Sequence, residues 1–259
     1  MKIYIQSRGF TQENGYRWLP EMPYILTNES VLEKIQVEAP SLVLRRYDKR
    51  LLLLITGIQS NRKDFRDRNI RNSVAWVTTD TQHHERQLRA IAIIALRDWN
   101  SLCEEINRTI EFDARDGFHV LLEEIKALPM KIPSLPQSQN LPHDEELNDQ
   151  ISKNLEQRQE ELAALLENYA LPRRSGFLVI VTEIKGEEAL IQAKVWRGLS
   201  RLVKSDNWQI IANRVSRPPK TQPAIDFSDF EDDEKRESPL PILIVSAILT
   251  GMMLLGIFF

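Results

Sequence analysis

From Ile242 to Phe259 the chain runs for eighteen residues without a charge, and its only hydroxyls there are Ser246 and Thr250. At about 1.5 Å rise per residue, a helix of that length spans about 27 Å, matching the hydrocarbon core of a bilayer. Twelve residues between Leu240 and Phe259 are Leu, Ile, Val or Phe. At roughly −0.3 to −0.6 kcal/mol each, they favour insertion by about 4–7 kcal/mol. An amphipathic helix packed on a soluble domain shows a polar face, and this segment has none. Pro239 and Pro241 stand at its start, where the first helical N–H groups lack partners anyway. Residues 239–259 are therefore expected to form one transmembrane helix.

The N-terminal run MKIYIQSRGF lacks the 7–15-residue apolar stretch of a signal peptide. Lys235 and Arg236 precede the span on the side that basic residues keep cytoplasmic. The expectation is a tail-anchored, single-pass membrane protein whose N-terminal domain lies in the cytoplasm. Ala247 and Gly251 form a small-xxx-small pair that lets two such helices approach closely, a route to homo-oligomers.

Residues 216–238 carry three prolines, seven acidic groups and no aliphatic periodicity. So little apolar surface does not offset the entropy of ordering it, and an acidic disordered tether is expected. Phe227 and Phe230 among the acids are the feature that favours a short docking motif there instead. This segment accounts for the whole formal charge of −3: residues 216–259 hold four basic and seven acidic groups, leaving thirty of each sign in 1–215. A balanced body argues against a protein that coats nucleic acid. With one cysteine, Cys103, the chain has no internal disulfide and no Cys-based zinc site.

Hydropathy periods predict a domain over 1–215. Lys2–Ser7 alternates as a first strand. Ser41–Asp48 and Leu51–Ile58 flank Asp48-Lys49-Arg50 as a hairpin, and Leu51 to Ile55 is apolar enough for a strand buried on both faces. Asn72–Thr79 is a further strand. Apolar residues at three- and four-residue steps then predict an amphipathic helix from about Asp80 to Ile110, with Asp80 or Thr81 as its cap. A helix over Gly117–Leu128 is expected to end before Pro129, ahead of a proline-rich loop at 129–142. A third helix is expected over Asp144–Tyr169, where Arg158 interrupts the apolar stripe and argues against a coiled-coil seam. A strand from Gly176, a helix over Glu187–Lys204 and a strand from Trp208 complete a βαβ unit. The fold class expected is α/β, with α+β as the alternative: a mixed sheet with packed helices, then the tether and the span.

No phosphate-cradling glycine loop, nucleophile elbow or helical zinc motif is present, and no metal or cofactor is expected. His83-His84-Glu85 lacks the i, i+4 partner of a helical metal pair. Cys103 has no neighbouring base and reads as structural. The concentrated constellation is Arg62, Lys63, Arg66, Arg68 and Arg71, with Asp64 and Asp67 interspersed, between two strands. Guanidinium forks suit bidentate capture of phosphate or carboxylate. Arg8, at the end of the first strand, reaches the same edge if the strand ends align. The bland alternative is an exposed loop whose arginines pair locally with Asp64 and Asp67. Phe65 alone offers thin support for base stacking, while anionic lipid is a further conceivable contact.

These features predict a membrane-anchored recognition or adaptor module for a protein partner or a small anionic ligand. Two alternatives stand beside it. One is an enzyme acting on a phosphorylated or nucleotide substrate, with Arg62, Arg66, Arg68 and Arg71 as phosphate clamps and Asp64 or Asp67 as base. The other is a membrane effector that oligomerises through its span when the cytoplasmic domain senses a signal.

Overall fold

In a computed structural model, residues 1–211 are described apart from 28–30, 36, 114–116, 132–134, 136–138 and 143–147. The tether, the span, Ala247 and Gly251 lie outside the described residues. Among the described residues, no helix is long and apolar enough to cross a membrane.

The leucine run at 51–54 organises the molecule. Strand β4 (Arg50–Lys63) is fully buried from Leu51 to Ile58, so its side chains feed two cores in alternation. Leu51, Leu53 and Ile55 face one hydrophobic layer, and Leu52 and Leu54 face the other. Its hairpin partner is β3 (Ser41–Tyr47), joined through Asp48 and Lys49. Both turn residues have positive φ, 41° and 58°, the geometry whose twist matches two paired strands.

A nine-stranded mixed sheet grows from this pair, in the order β11-β8-β10-β9-β3-β4-β5-β1-β2. On one side lie β5 (Asn69–Thr79), β1 (Lys2–Ser7) and β2 (Arg17–Leu19), each antiparallel to its neighbour. On the other lie β9 (Gly176–Thr182), β10 (Arg197–Ser200), β8 (Gln150–Lys153) and the edge pair of residues β11 (Gln209–Ile210). Strands β8, β9 and β10 run parallel. A separate hairpin joins β6 (Ile110–Asp113) to β7 (Gly117–Val120).

One sheet face is covered by α2 (Gln82–Arg97), α3 (Trp99–Arg108), α4 (Leu122–Lys131) and α5 (Glu156–Asn168). The opposite face packs on α1 (Tyr24–Thr27), a 3₁₀ turn at Leu32–Lys34 and α6 (Glu187–Gln192). The expected α/β architecture of a mixed sheet with packed helices is present.

Four expected elements are corrected. The helix over Asp80–Ile110 is two helices, because the Asp98 carboxylate accepts from the Ser101 amide at 3.0 Å and starts α3 as a fresh N-cap. Its upstream cap is Thr81, which accepts from the His84 amide. The helix expected at Gly117 begins only at Leu122, since 117–120 pairs with β6, and α4 carries Pro129 within its last turns. Ile151 and Ser152, read as helical, lie in β8, where parallel pairing with β10 overrides a weak helical stripe. The last long helix stops at Gln192. Lys194 turns left-handed at φ 50°, and Arg197–Ser200 enters the sheet between β8 and β9. The C-terminal parallel crossover is thus β9-α6-β10, with its second strand eleven residues earlier than Trp208.

Candidate functional site

The arginine-rich segment is the far end of the β4–β5 hairpin rather than a loop between strands. Strand β4 continues to Lys63 and β5 resumes at Asn69, so only 64–68 form the turn. Asp64 organises it. Its Oδ1 accepts from the backbone amides of Arg66 (2.9 Å) and Arg68 (3.1 Å), a local fold that aspartate makes readily. Its Oδ2 takes Arg68 at 2.7 Å and Arg8 at 3.1 Å. The Arg68 side chain, with the amides of Arg66 and Arg68, holds the Asp64 carboxyl down to about 2 against the opposing effect of burial.

The five predicted arginines therefore part company. Arg8 and Arg68 are spent on Asp64. Arg66 lies over the ring of Phe65, 5.2 Å from its centre. Lys63 pairs with Asp67 at 2.9 Å. Arg62 and Arg71 differ from Arg8, Arg68 and Lys63 in their partners, and from Arg66 in lining a cleft. Arg62 donates to Ser7 Oγ (2.6 Å), Asn72 Oδ1 (3.3 Å) and Ser60 Oγ (3.3 Å) and lies over Phe112. Arg71 donates to Gln59 Oε1 at 3.0 Å. Their hydrogen-bond partners among the described residues are neutral, so both cations lack a compensating carboxylate. Burial lowers the Arg62 guanidinium to about 10, so it stays charged at neutral pH.

Arg62 and Arg71 share one wall of a cleft of about 730 Å³ between this hairpin and α3. Helix α3 brings Trp99, Asn100, Cys103, Glu104, Asn107 and Arg108 to the opposite wall. These positions recur at steps of three and four residues and so share one helical face. The side facing the sheet carries Leu102 and Ile106 into the core. Asn107 ties the walls together: its amide donates to Gln59 O at 2.8 Å and accepts from Asn72 at 2.9 Å. Arg108 leans on Glu105 and, at 3.7 Å, on Glu104.

Gly57 fixes the remaining edge. Its φ is +72°, and a Cβ there would stand 2.1 Å from the Ala39 carbonyl carbon. Only glycine permits that approach, and it brings Pro40 to the rim. Cys103 is buried, and desolvation pushes its thiol up to about 12, so at neutral pH it is a protonated thiol and not a nucleophile.

No family model, curated protein or solved structure matches the chain. What the cleft can do rests on its own residues. It can hold an anion: two uncompensated guanidiniums on one wall and a third across from them form a fork array suited to phosphate or carboxylate. Among the described residues, no three His, Cys, Asp or Glu side chains gather as a metal site. Asp64, the candidate base, has both oxygens engaged by arginine side chains and amides and is buried. Asp67 is exposed, in the turn, and held by Lys63.

Sequence reasoning missed Trp99, Glu104, Asn107 and Arg108. The periodicity that locates the core face of α3 also defines the stripe beside it, but which strand end that stripe meets depends on the sheet. A second cavity of about 840 Å³ opens beside Arg46, Asp80 and Glu85. There Arg46 meets Asp80 at 2.8 Å and Glu85 at 2.9 Å. Arg89, with no exposed surface, donates to the Leu166 and Tyr169 carbonyls that end α5. Glu85 also accepts from the Leu171 amide at 2.8 Å. This network clamps α2, β3 and the α5 terminus together.

Proposed function

We propose that the chain is a membrane-tethered recognition module whose α/β domain takes a small anionic ligand in the cleft between the β4–β5 hairpin and α3. The observation that carries the reading is that Arg62 and Arg71 line one cleft while their described hydrogen-bond partners are all neutral. Arg68 in the same hairpin has a carboxylate and Arg66 rests on Phe65 outside the cleft; Arg62 and Arg71 are the hairpin arginines that line it. The tether at 216–238 and the apolar segment at 239–259 support attachment to a membrane with the domain on the cytoplasmic side. A cleft of this volume suits a small molecule.

The test is calorimetric titration of the full-length protein, held in nanodiscs of neutral lipid, with inorganic phosphate at low ionic strength. Saturable binding that is weakened at least tenfold by Arg71→Ala supports the site. Binding that is absent, or indifferent to Arg71→Ala and Arg62→Ala alike, removes it. Alkaline extraction of cell membranes tests the anchor separately: release of the protein into the supernatant overturns that part of the reading.

A protein partner is the second reading, favoured by the aromatic tip of the same hairpin. Phe10, Phe65 and Phe112 are all exposed and come together from three segments, with Phe10 and Phe112 edge-to-face at 6.4 Å. Exposed aromatics gathered in one patch mark interaction surfaces. Crosslinking in cells from a photoreactive residue at position 10 should then trap a protein, and trapping none would reject this reading.

A further inference from the structure

The α3 wall of the cleft carries different chemistry at each turn. Trp99 and Asn100 stand at the N-terminal end, Glu104 one turn on, and Asn107 and Arg108 at the C-terminal end. Asn100, Glu104 and Arg108 are spaced i, i+4, i+8, so they line up along one face. From Trp99 to Arg108 the helix rises about 13 Å. The hairpin wall is joined to the C-terminal end, because Asn107 bonds Gln59 and Asn72. The uncompensated Arg71 and Arg62 therefore belong to the Asn107–Arg108 end, and the indole of Trp99 to the other.

That order is aromatic surface with an amide, then a carboxylate, then a cluster of guanidiniums. We propose that the cleft binds a nucleoside monophosphate along α3, base against Trp99, ribose at Glu104 and phosphate among Arg62, Arg71 and Arg108. Each group has the chemistry its place requires. Trp99 is half-buried, held against the main core by one side and lining the cleft with the rest, and an aromatic face stacks with any base. Asn100 adds one amide donor and acceptor for a base edge. A carboxylate accepts from ribose hydroxyls, as acidic residues do in dinucleotide sites. Glu104 is exposed and only loosely held by Arg108, at 3.7 Å, so it is free to turn to a sugar. Asn107 donates to Gln59 O and accepts from Asn72 Nδ2, which ties the two walls together. Cys103 lies between Trp99 and Asn107 as a buried, protonated thiol, adding no charge to the middle of the cleft.

This inference rests on the anion-site reading and names the ligand class for it. The experiment is a titration series on the full-length protein in neutral-lipid nanodiscs, using inorganic phosphate, ribose 5-phosphate and the four ribonucleoside 5′-monophosphates. The expected result is that at least one mononucleotide binds tenfold or more tightly than ribose 5-phosphate, with a change in tryptophan fluorescence. Trp99→Leu, which keeps an apolar side chain against the core, should bring that mononucleotide to the ribose 5-phosphate level and leave ribose 5-phosphate binding unchanged. The 2′-deoxy form of the same nucleotide should bind several-fold more weakly in the wild type but not in Glu104→Ala. If ribose 5-phosphate and all four mononucleotides bind equally, or if Trp99→Leu keeps the full advantage of the base, the nucleotide assignment is overturned while the anion site stands. If nothing in the series binds, inorganic phosphate included, both fall together.

Discussion

Two regions of this molecule are built from arginine, and they differ in where the carboxylates went. Arg46 and Arg89 are both matched by carboxylates. Glu85 and Asp80 serve Arg46, Glu85 lies 3.6 Å from Arg89, and helix-terminal carbonyls take the remaining donors. Burial pulls the Arg89 guanidinium downward while Glu85 acts against it. At the hairpin cleft, Asp64 is consumed by Arg8 and Arg68, and Arg62 and Arg71 face neutral groups. The first arrangement closes a joint between elements. The second leaves positive charge looking into a cavity, available to whatever anion enters. On the proposed reading, the same residue type serves structure or recognition according to a few carboxylate positions.

The largest effect is expected from neutralising the carboxylate shared by Arg46 and Arg89. Glu85→Gln keeps the shape and two polar atoms but leaves Arg46 and Arg89 short of charge in a buried setting. A buried cation stripped of its partner costs about 3 kcal/mol or more, which for a domain of this size lowers Tm by roughly 6–12 °C. Circular-dichroism melting of full-length protein measures this. An unchanged Tm would show that the network is not the structural joint described here.

The legibility of the two regions in the sequence follows the same division. The run Leu51–Ile55 announced a strand buried on both faces, and the structure has it so. Thr81 as cap and Asp48-Lys49 as turn were readable because caps and turns are local events. The cluster of arginines at 62–71 was visible as a cluster, yet its partition into paired and uncompensated members was not. That partition depends on Asp64 folding back on 66–68, and on β1 delivering Arg8 and Ser7 across the sheet. Trp99, Glu104 and Arg108 were hidden because Asp98 breaks one long periodic stretch into two helices, and the stripe matters only once α3 lies against the hairpin. Strands β8 and β10 were lost for the opposite reason: four-residue segments carry too little period of their own, and pairing decides them.

A carboxylate can be placed directly beside Arg71, which has none as a hydrogen-bond partner. Gln59 accepts from Arg71 at 3.0 Å, so Gln59→Glu changes charge with almost no change in shape. It should cost at least tenfold in phosphate affinity while leaving Tm within a few degrees, since an exposed ion pair adds little stability. Loss of Tm without loss of affinity would reverse the assignment of roles. Titration of phosphate against the variant and the wild type, at one ionic strength, reads both quantities.

Asp64 stands between the two arrangements: buried like the first, yet located in the hairpin of the second. Its folded value of about 2 lies below the ordinary value of about 3.9 for an unfolded aspartate. A depressed carboxyl contributes stability that is complete above about pH 4 and disappears as pH falls through about 2. The wild type should therefore lose Tm more steeply between pH 4 and pH 2 than Asp64→Asn does, and the two slopes should coincide above pH 5. Equal slopes throughout would mean that the arginines around Asp64 do not favour its ionised form.

The smallest effect belongs to Lys63 and Asp67, a pair in the same turn with both side chains largely exposed. Water screens such a pair, and holding two long side chains in one geometry offsets much of its attraction, so the net contribution is within about 0.5 kcal/mol. Lys63→Ala should leave Tm within a degree or two. It should also leave phosphate affinity within about twofold, because Lys63 is not among the cleft-lining residues. A large loss of affinity on removing Lys63 would mean that the whole basic turn attracts anions through its summed field. The contrast drawn between compensated and uncompensated arginines would then have to give way to one of net charge. A small loss, against the tenfold expected for Arg71→Ala on the neighbouring strand, assigns recognition to particular guanidiniums and the pockets they face.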